Sequence, residues 1–398
     1  MMKLFNLKSN RRGEKTEGTA GGYRKFKEPE KSTRRRKGQP KNKKTSIEKS
    51  SKSMRRRRKK EATLADATTR MKNDDTMAGD TVANLPQTAS PAVVKWVERA
   101  LNMGVPALRE EYRGLAKYTM DGMTQDAFNT HQPQGRNRYQ DVPCQDQNRV
   151  TLKSPPASCD YVHANYVGTP VSDKRFICTQ GPLDSTIGEF WWLVWQQKAE
   201  QIIMLCNCIE TGKFKCAQYW PENAGEKKQV CNNMMMVENV ECKLLEREPS
   251  VRMTMLKLTI DKETRNVRHL QWLDWPDRGV PPCRLTSMEL LSTVRGSKAP
   301  IVVHCSAGIG RTGTIVSIEY ILEKLCANIE CMAMGDLMKE IRNQRAFSIQ
   351  NDLQYLYIHR VMLCYFLEKY EKKHASVLTE ENKAKYKRFI DDYNAAVG

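Results

Sequence analysis

Along the first eighty residues apolar side chains are sparse and show no period. After Ser90-Pro91 they recur at helical spacing, with Val94, Trp96, Val97 and Leu101 in one arc and, beyond Pro106, Leu108, Tyr112 and Leu115 in another. Ordered structure is therefore predicted to begin near residue 90. Further helices are predicted near residues 185–199, 284–295, 312–325, 333–344 and 350–370. Between them lie short apolar, β-branched runs that read as strands: Arg175 to Thr179, Ile202 to Leu205, Met253 to Ile260, where alternation is clearest, and Ile301 to Val303. Cys206 and Cys208 are read as one face of the second of these strands. Interleaved helices and strands without an internal repeat predict an α/β (α+β) domain around a mixed sheet. Near the C-terminus Thr379 is positioned to cap a short helix with Tyr386, Phe389, Ile390 and Tyr393 on one face, expected to dock on the domain.

Charge divides the chain differently. Residues 1–60 carry 24 Lys or Arg against 5 Glu, whereas the whole chain of 398 residues has a formal net charge of only +20, so the rest is almost neutral. The clusters Arg34 to Lys37 and Arg55 to Lys60, separated by Gly, Ser and Pro, have too little apolar surface to bury and predict disorder. The resulting division is 1–88 as a basic tail, 89–372 as one folded domain, and 373–398 as a short helical tail. An acidic partner for the basic tail, nucleic acid or anionic membrane, follows from the charge, as does a nuclear-import signal. No apolar run reaches the roughly 18 residues of a membrane span, and the N-terminus lacks the apolar stretch of a secretory signal. Thirteen irregularly spaced cysteines suit a reducing compartment. The expectation is an intracellular protein, cytoplasmic or nuclear. No second Cys/His pair accompanies Cys206 and Cys208, so no metal role is assigned to them.

The most chemically loaded segment runs from Ile301 to Gly313: a buried strand, then His304-Cys305-Ser306-Ala307-Gly308-Ile309-Gly310-Arg311-Thr312-Gly313, a small-residue loop leading into a helix. Successive N–H groups of such a loop converge on one anion, and the following helix adds its positive end. A cysteine there is favoured as thiolate. Arg311 can grip two phosphate oxygens through its planar fork, which a lysine cannot. The Thr312 hydroxyl is placed to hydrogen-bond the sulfur. The spacing Cys-x5-Arg has little specificity alone; the glycines and the strand-to-helix setting raise it.

This loop resembles the signature loop of the protein tyrosine phosphatases, and other segments match that family in order over residues 90 to 370. Asn137-Arg138-Tyr139 is similar to its phosphotyrosine-recognition loop, Trp275-Pro276-Asp277 to its mobile general-acid loop, and Ser348-Ile349-Gln350-Asn351-Asp352 to its water-positioning loop. Thr179 to Leu183 and Lys215 to Pro221 match core segments. The resemblance implies a highly twisted mixed sheet flanked by helices, no metal and no cofactor. Its substrates would be phosphotyrosine-containing proteins, hydrolysed through a phosphocysteine on Cys305.

Carried over residue by residue, it implies Asp277 as general acid, with Pro276 stiffening the flap and Gly279 freeing it. Gln350 would orient the hydrolytic water, assisted by Gln354. Tyr139 would stack on the substrate ring, Asp141 accept substrate peptide N–H groups, and Ser306, Ala307, Gly308, Ile309, Gly310 and Arg311 form the phosphate cup. His304 would tune the thiolate by hydrogen bonding, and Glu210 with Lys215 would pair near Arg311 and the flap, with Arg345 in a supporting structural position. Departures from the family are Arg136 for a usual lysine, Gln140 for a common basic residue, Arg278 where an aromatic or histidine is frequent, and Asp160 to Asn165. The competing readings are a catalytically weak phosphotyrosine-binding module and a dual-specificity or lipid phosphatase.

Overall fold

The computed structural model describes residues 89–398. The basic clusters, and every expectation about residues 1–88, lie outside the described residues. The first helix, α1 (Pro91–Leu115), begins as its sequence dictates: Ser90 caps it by accepting the Val93 N–H at 3.3 Å, and Pro91 sits at the first turn. It is two helical stretches joined at Gly104, whose φ of 64° breaks the spiral just before Pro106. This is the break that separates the two apolar arcs. A short α2 (Asp126–His131) follows.

Nine strands make one mixed sheet: β1 (Arg149–Thr151), β2 (Tyr161–Val167), β3 (Phe176–Thr179), β4 (Gln201–Met204), β7 (Lys227–Val230), β8 (Met235–Leu244), β9 (Val251–Ile260), β10 (Glu263–Trp272) and β11 (Ile301–His304). Their order is β1-β2-β3-β11-β4-β10-β9-β8-β7. The strand β11 lies between β3 and β4 and is parallel to both, and β4 is parallel to β10; the remaining pairings are antiparallel. All four residues of β11 are buried, which is why it reads as an uninterrupted apolar run. A separate hairpin, β5 (Ile209–Glu210) with β6 (Lys213–Phe214), follows β4. Cys206 and Cys208 lie beyond the end of β4 in this connection rather than on the strand.

The helices are α3 (Ile187–Gln196), α4 (Thr286–Val294), α5 (Gly310–Cys326), α6 (Met334–Arg342), α7 (Asp352–Cys364) and α8 (Glu380–Val397). All five segments expected to be helical are, with ends displaced by a few residues; the segment read as 350–370 leaves α-geometry after Cys364. The strands β7, β8 and β10 had no clear signal. The first four residues of β10 are Glu-Thr-Arg-Asn, and the second half of β8 is largely exposed, so neither presents a continuous apolar face.

Helix α8 starts at Thr379, whose hydroxyl accepts the Asn382 N–H at 3.2 Å, and packs on α1 and α7. Tyr386, Phe389 and Tyr393 are buried, and Arg360 of α7 donates to the Tyr386 hydroxyl at 2.7 Å. Phe389 is 1% exposed. Phe389→Ala should cost about 3–5 kcal/mol, the range for a buried aromatic truncated to Ala. Equilibrium urea unfolding measures it, and a loss below about half a kcal/mol would mean that α8 does not contribute to the domain core.

Candidate active site

The loop from Cys305 to Ile309 joins β11 to α5, and its path is dictated by close contacts. Gly308 has φ of 72°, and a Cβ there would lie 2.1 Å from the Thr179 carbonyl oxygen, so only glycine fits. The fully buried Arg345 donates from Nε to Gly308 O at 3.1 Å and from Nη2 to Ala307 O at 3.2 Å. Because a trans peptide points its N–H opposite its carbonyl, these bonds turn the following N–H groups toward the cup. Gly308 N–H accordingly donates to Cys305 Sγ at 3.2 Å. Arg345 is itself held by Asn165 Oδ1 at 2.8 Å and His163 Nδ1 at 3.2 Å, and His163 Nε2 lies 2.9 Å from Val142 O. Burial, then the charge of Arg345, pushes His163 down to about 3. A neutral His163 donates from Nε2 and accepts from the arginine at Nδ1.

Burial pushes the Cys305 thiol up, but the Arg311 cation, the Thr312 hydroxyl and N–H, and the Gly308 N–H outweigh it, leaving the thiol below its ordinary value. Thr312 Oγ1 has no hydrogen-bond partner of standard geometry. The hydroxyl nevertheless acts on the sulfur, with the Thr312 N–H, in the direction that favours the thiolate. His304 makes its hydrogen bonds to the main chain and to a tyrosine: its Nδ1 is 3.1 Å from the Cys305 carbonyl oxygen, and its Nε2 is 2.8 Å from the Tyr219 hydroxyl. Burial holds His304 down at about 4, so it is neutral and fixes the main chain of Cys305. Tyr219, also 2.8 Å from His269, links the two imidazoles.

Two ion pairs reach the cup from the β5–β6 hairpin and the residue that follows it. Glu210 holds Arg311 through both carboxylate oxygens, at 2.6 and 2.8 Å, and Lys215 Nζ is 2.6 Å from Asp277 Oδ2. Glu210 and Lys215 thus each bind a residue of the cup or flap, not one another. Arg311 also reaches Trp275 O at 3.3 Å and Asp277 Oδ1 at 3.5 Å. Burial raises the Asp277 carboxyl, but Lys215 foremost, then Arg311 and Arg278, hold it below the usual range. On the flap, the left-handed residue is Arg278, with φ of 60°, rather than Gly279.

Opposite the flap, Tyr139 OH is 2.8 Å from Ser306 Oγ, which donates to Lys215 O at 3.0 Å. Arg138 is spent on the main chain, donating to Gly181 O at 3.0 Å and Pro182 O at 2.6 Å. The loop before α7 carries Ile349 with φ of 64°, unusual for a β-branched residue. Its N–H bonds Ile309 O at 3.1 Å, and its carbonyl accepts from Arg342 at 3.0 Å and Tyr112 at 3.1 Å. That clamp presents Gln350, whose N–H bonds Gln354 Oε1 at 2.9 Å. A Cβ on Gly310 would come within 3.0 Å of both glutamine side chains, so glycine admits them to the cup.

One cavity of about 100 Å³ is lined by Tyr139, Asp141, Asp277, Cys305, Ser306, Ala307, Gly310, Arg311, Gln350 and Gln354, together with Lys215 and Arg278. His304, Gly308, Ile309 and Thr312 lie behind this wall. The Arg345 partners His163 and Asn165, and the tie from Asn351 Nδ2 to Arg278 O at 2.8 Å, had no local signal in the sequence. They depend on chain segments far apart.

A family model described as protein-tyrosine phosphatase matches residues 133–364. The rat tyrosine-protein phosphatase non-receptor type 9 is 36% identical over 57% of this chain, and the human phosphatidylinositol phosphatase PTPRQ 33% identical over 64%. The chain covers 41% and 11% of those two relatives. The solved catalytic domain of human protein tyrosine phosphatase non-receptor type 18 superimposes with a TM-score of 0.62 at 30% identity, covering 69% of this chain and all of that one. A structure of PTPN18 in complex with HER2 phospho-peptides gives 0.59 at 27% identity, covering 68% of this chain and 98% of that one. With Cys305, Arg311, Asp277 and Tyr139 gathered around one cavity and the family model spanning more than half its length, this chain belongs to the protein-tyrosine phosphatase family.

Proposed function

We propose that this chain hydrolyses phosphotyrosine in proteins through a phosphocysteine on Cys305. The observation that carries the reading is the convergence of Cys305, Arg311, Asp277, Gln350 and Tyr139 on one cavity. In the first step Sγ attacks phosphorus while the phosphate oxygens rest on the loop N–H groups and on Arg311. Glu210 occupies one N–H of each Nη. Nε and the second Nη2 proton, now directed at Asp277, form the fork left for phosphate. An arriving dianion would displace Asp277 from Arg311 and, by adding negative charge, favour its neutral form. Protonated Asp277 then donates to the departing tyrosine oxygen. In the second step water attacks the phosphocysteine, Asp277 takes its proton, and Gln350 with Gln354 orients it. The sulfur leaves as thiolate and inorganic phosphate is released.

The PTPN18 complexes with HER2 phospho-peptides support protein substrates for the fold. A second reading, a phosphoinositide substrate, draws on the likeness to PTPRQ. For residues 1–60 the charge favours an acidic intracellular partner, nucleic acid or anionic membrane. Among the described residues no helix is long and apolar enough to cross a membrane.

The purified chain should hydrolyse an aryl phosphate in the presence of chelator and prefer phosphotyrosine peptides to phosphoinositide headgroups. Cys305→Ser should abolish turnover, and Asp277→Ala should lower kcat about 10²–10⁴-fold with little change in KM. Residual full activity in Cys305→Ser, or an absolute metal requirement, would sink the mechanism.

The depressed thiol gives a second outcome. Alkylation of Cys305 by iodoacetamide should persist to pH values below the roughly 8.5 midpoint of an ordinary thiol. Arg311→Ala removes the largest charge favouring the thiolate and should move the midpoint up. Equal midpoints in the two proteins would reject the role assigned to Arg311.

The third concerns Asp277. A general acid must be protonated, so kcat/KM falls as pH rises through its free-enzyme pKa, and Lys215 holds that pKa low. Lys215→Met should raise it and shift the falling limb to higher pH, while Asp277→Ala removes that limb. A limb unmoved in Lys215→Met would show that another group controls it.

A further inference from the structure

We propose that Arg278 makes this site selective for phosphotyrosines flanked by acidic residues, reading the flank from the flap rather than from the recognition loop. The inference rests on the phosphotyrosine reading above. Among the charged side chains of the cavity wall, Lys215 is paired with Asp277 and Arg311 with Glu210. Arg278 and Asp141 have no ion-pair partner among the described residues. Asp141 lines the same cavity, and under the phosphotyrosine reading it would be engaged by the main-chain N–H groups of a bound peptide. Arg278 is then the cation left at the rim for a flanking side chain.

Its placement is enforced. The residue is exposed yet lines the cavity, and its left-handed backbone, with φ of 60°, is costly for a non-glycine residue. Asn351 offsets that cost by donating from Nδ2 to Arg278 O at 2.8 Å. The Asn351 side chain is itself fixed, since its Oδ1 accepts the Gln354 N–H at 2.9 Å at the start of α7. Across the cavity the neighbouring cations are unavailable: Arg136 is 3.0 Å from Glu189, and Arg138 is bound to main-chain carbonyls. Gln140 is exposed and carries no charge. A peptide with its phosphotyrosine in the cup therefore meets positive charge on the flap side.

An exposed ion pair of this kind is worth about 0.2–1 kcal/mol, a factor of roughly 1.5 to 5 in kcat/KM, and is screened within about 8 Å at physiological salt. The test uses phosphotyrosine peptides that differ only in Glu against Gln at the residues flanking the phosphotyrosine, at low and physiological ionic strength. Wild type should favour the Glu peptides about two- to fivefold, with the ratio shrinking as salt rises. Arg278→Gln should bring the ratio to about one, and Arg278→Lys should keep most of it. Each ratio is internal to one enzyme, so a change in overall rate does not obscure it. Peptide turnover with the same ratio in wild type and Arg278→Gln overturns this inference alone. Absence of turnover on every phosphotyrosine peptide overturns the phosphotyrosine reading and this inference with it.

Discussion

The outward-turned carbonyls of Ala307 and Gly308, both ending on Arg345, set the geometry on which the site depends. A buried guanidinium is expensive unless its protons are used, and here Asn165 and His163 complete its partners. With the carbonyls held away, the loop N–H groups have one direction left, toward the cup. The depressed thiol of Cys305 is a consequence of that orientation together with Arg311. Gly308 makes the arrangement possible, because a side chain would collide with Thr179 on the neighbouring strand β3. Sheet, loop and nucleophile are in this sense one structure.

The charges around the cup are balanced before substrate arrives. Glu210 orients Arg311 from behind, and Lys215 holds Asp277, the first on the six-residue hairpin following β4 and the second at the residue just after it. That hairpin couples phosphate grip to the flap: the same short element positions the cation and restrains the acid. Under the proposed mechanism a phosphate dianion would replace Asp277 at Arg311 and alter the charge felt by the carboxyl in the direction that general-acid chemistry needs. The ion pairs at rest and the reactive arrangement are thus alternatives selected by the ligand's own charge.

The framework beneath the site uses strain locally where long-range bonds can hold it. Ile349 and Arg278 both adopt left-handed backbone without being glycine. The first is clamped by Arg342, Tyr112 and Ile309, the second by Asn351. These two bends bring the glutamines and the flap to the same cavity. The first clamp draws on α1, on the end of α6 and on the loop before α5, the second on the residue just before α7, so segments far apart in the chain hold the two bends.

What the sequence determined by itself is local. A buried β-branched strand, small residues with Gly308 and Gly310, and the start of a helix are contiguous, so the cup and its nucleophile were legible between Ile301 and Gly313. The helices were legible because their apolar period is carried within each segment; β8 and β10 were not, since a strand's burial is set by neighbours that its own residues do not name. Tertiary structure alone decided that Arg345 meets Asn165 and His163 as it holds the loop carbonyls, that Glu210 binds Arg311 while Lys215 binds Asp277, and that His304 bonds the Cys305 carbonyl. Each of these depends on β11 lying between β3 and β4 and on the precise side-chain directions that follow from it. Residue spacing constrains bonds within a turn or a loop, whereas partners a hundred residues apart are chosen by the order of strands in the sheet.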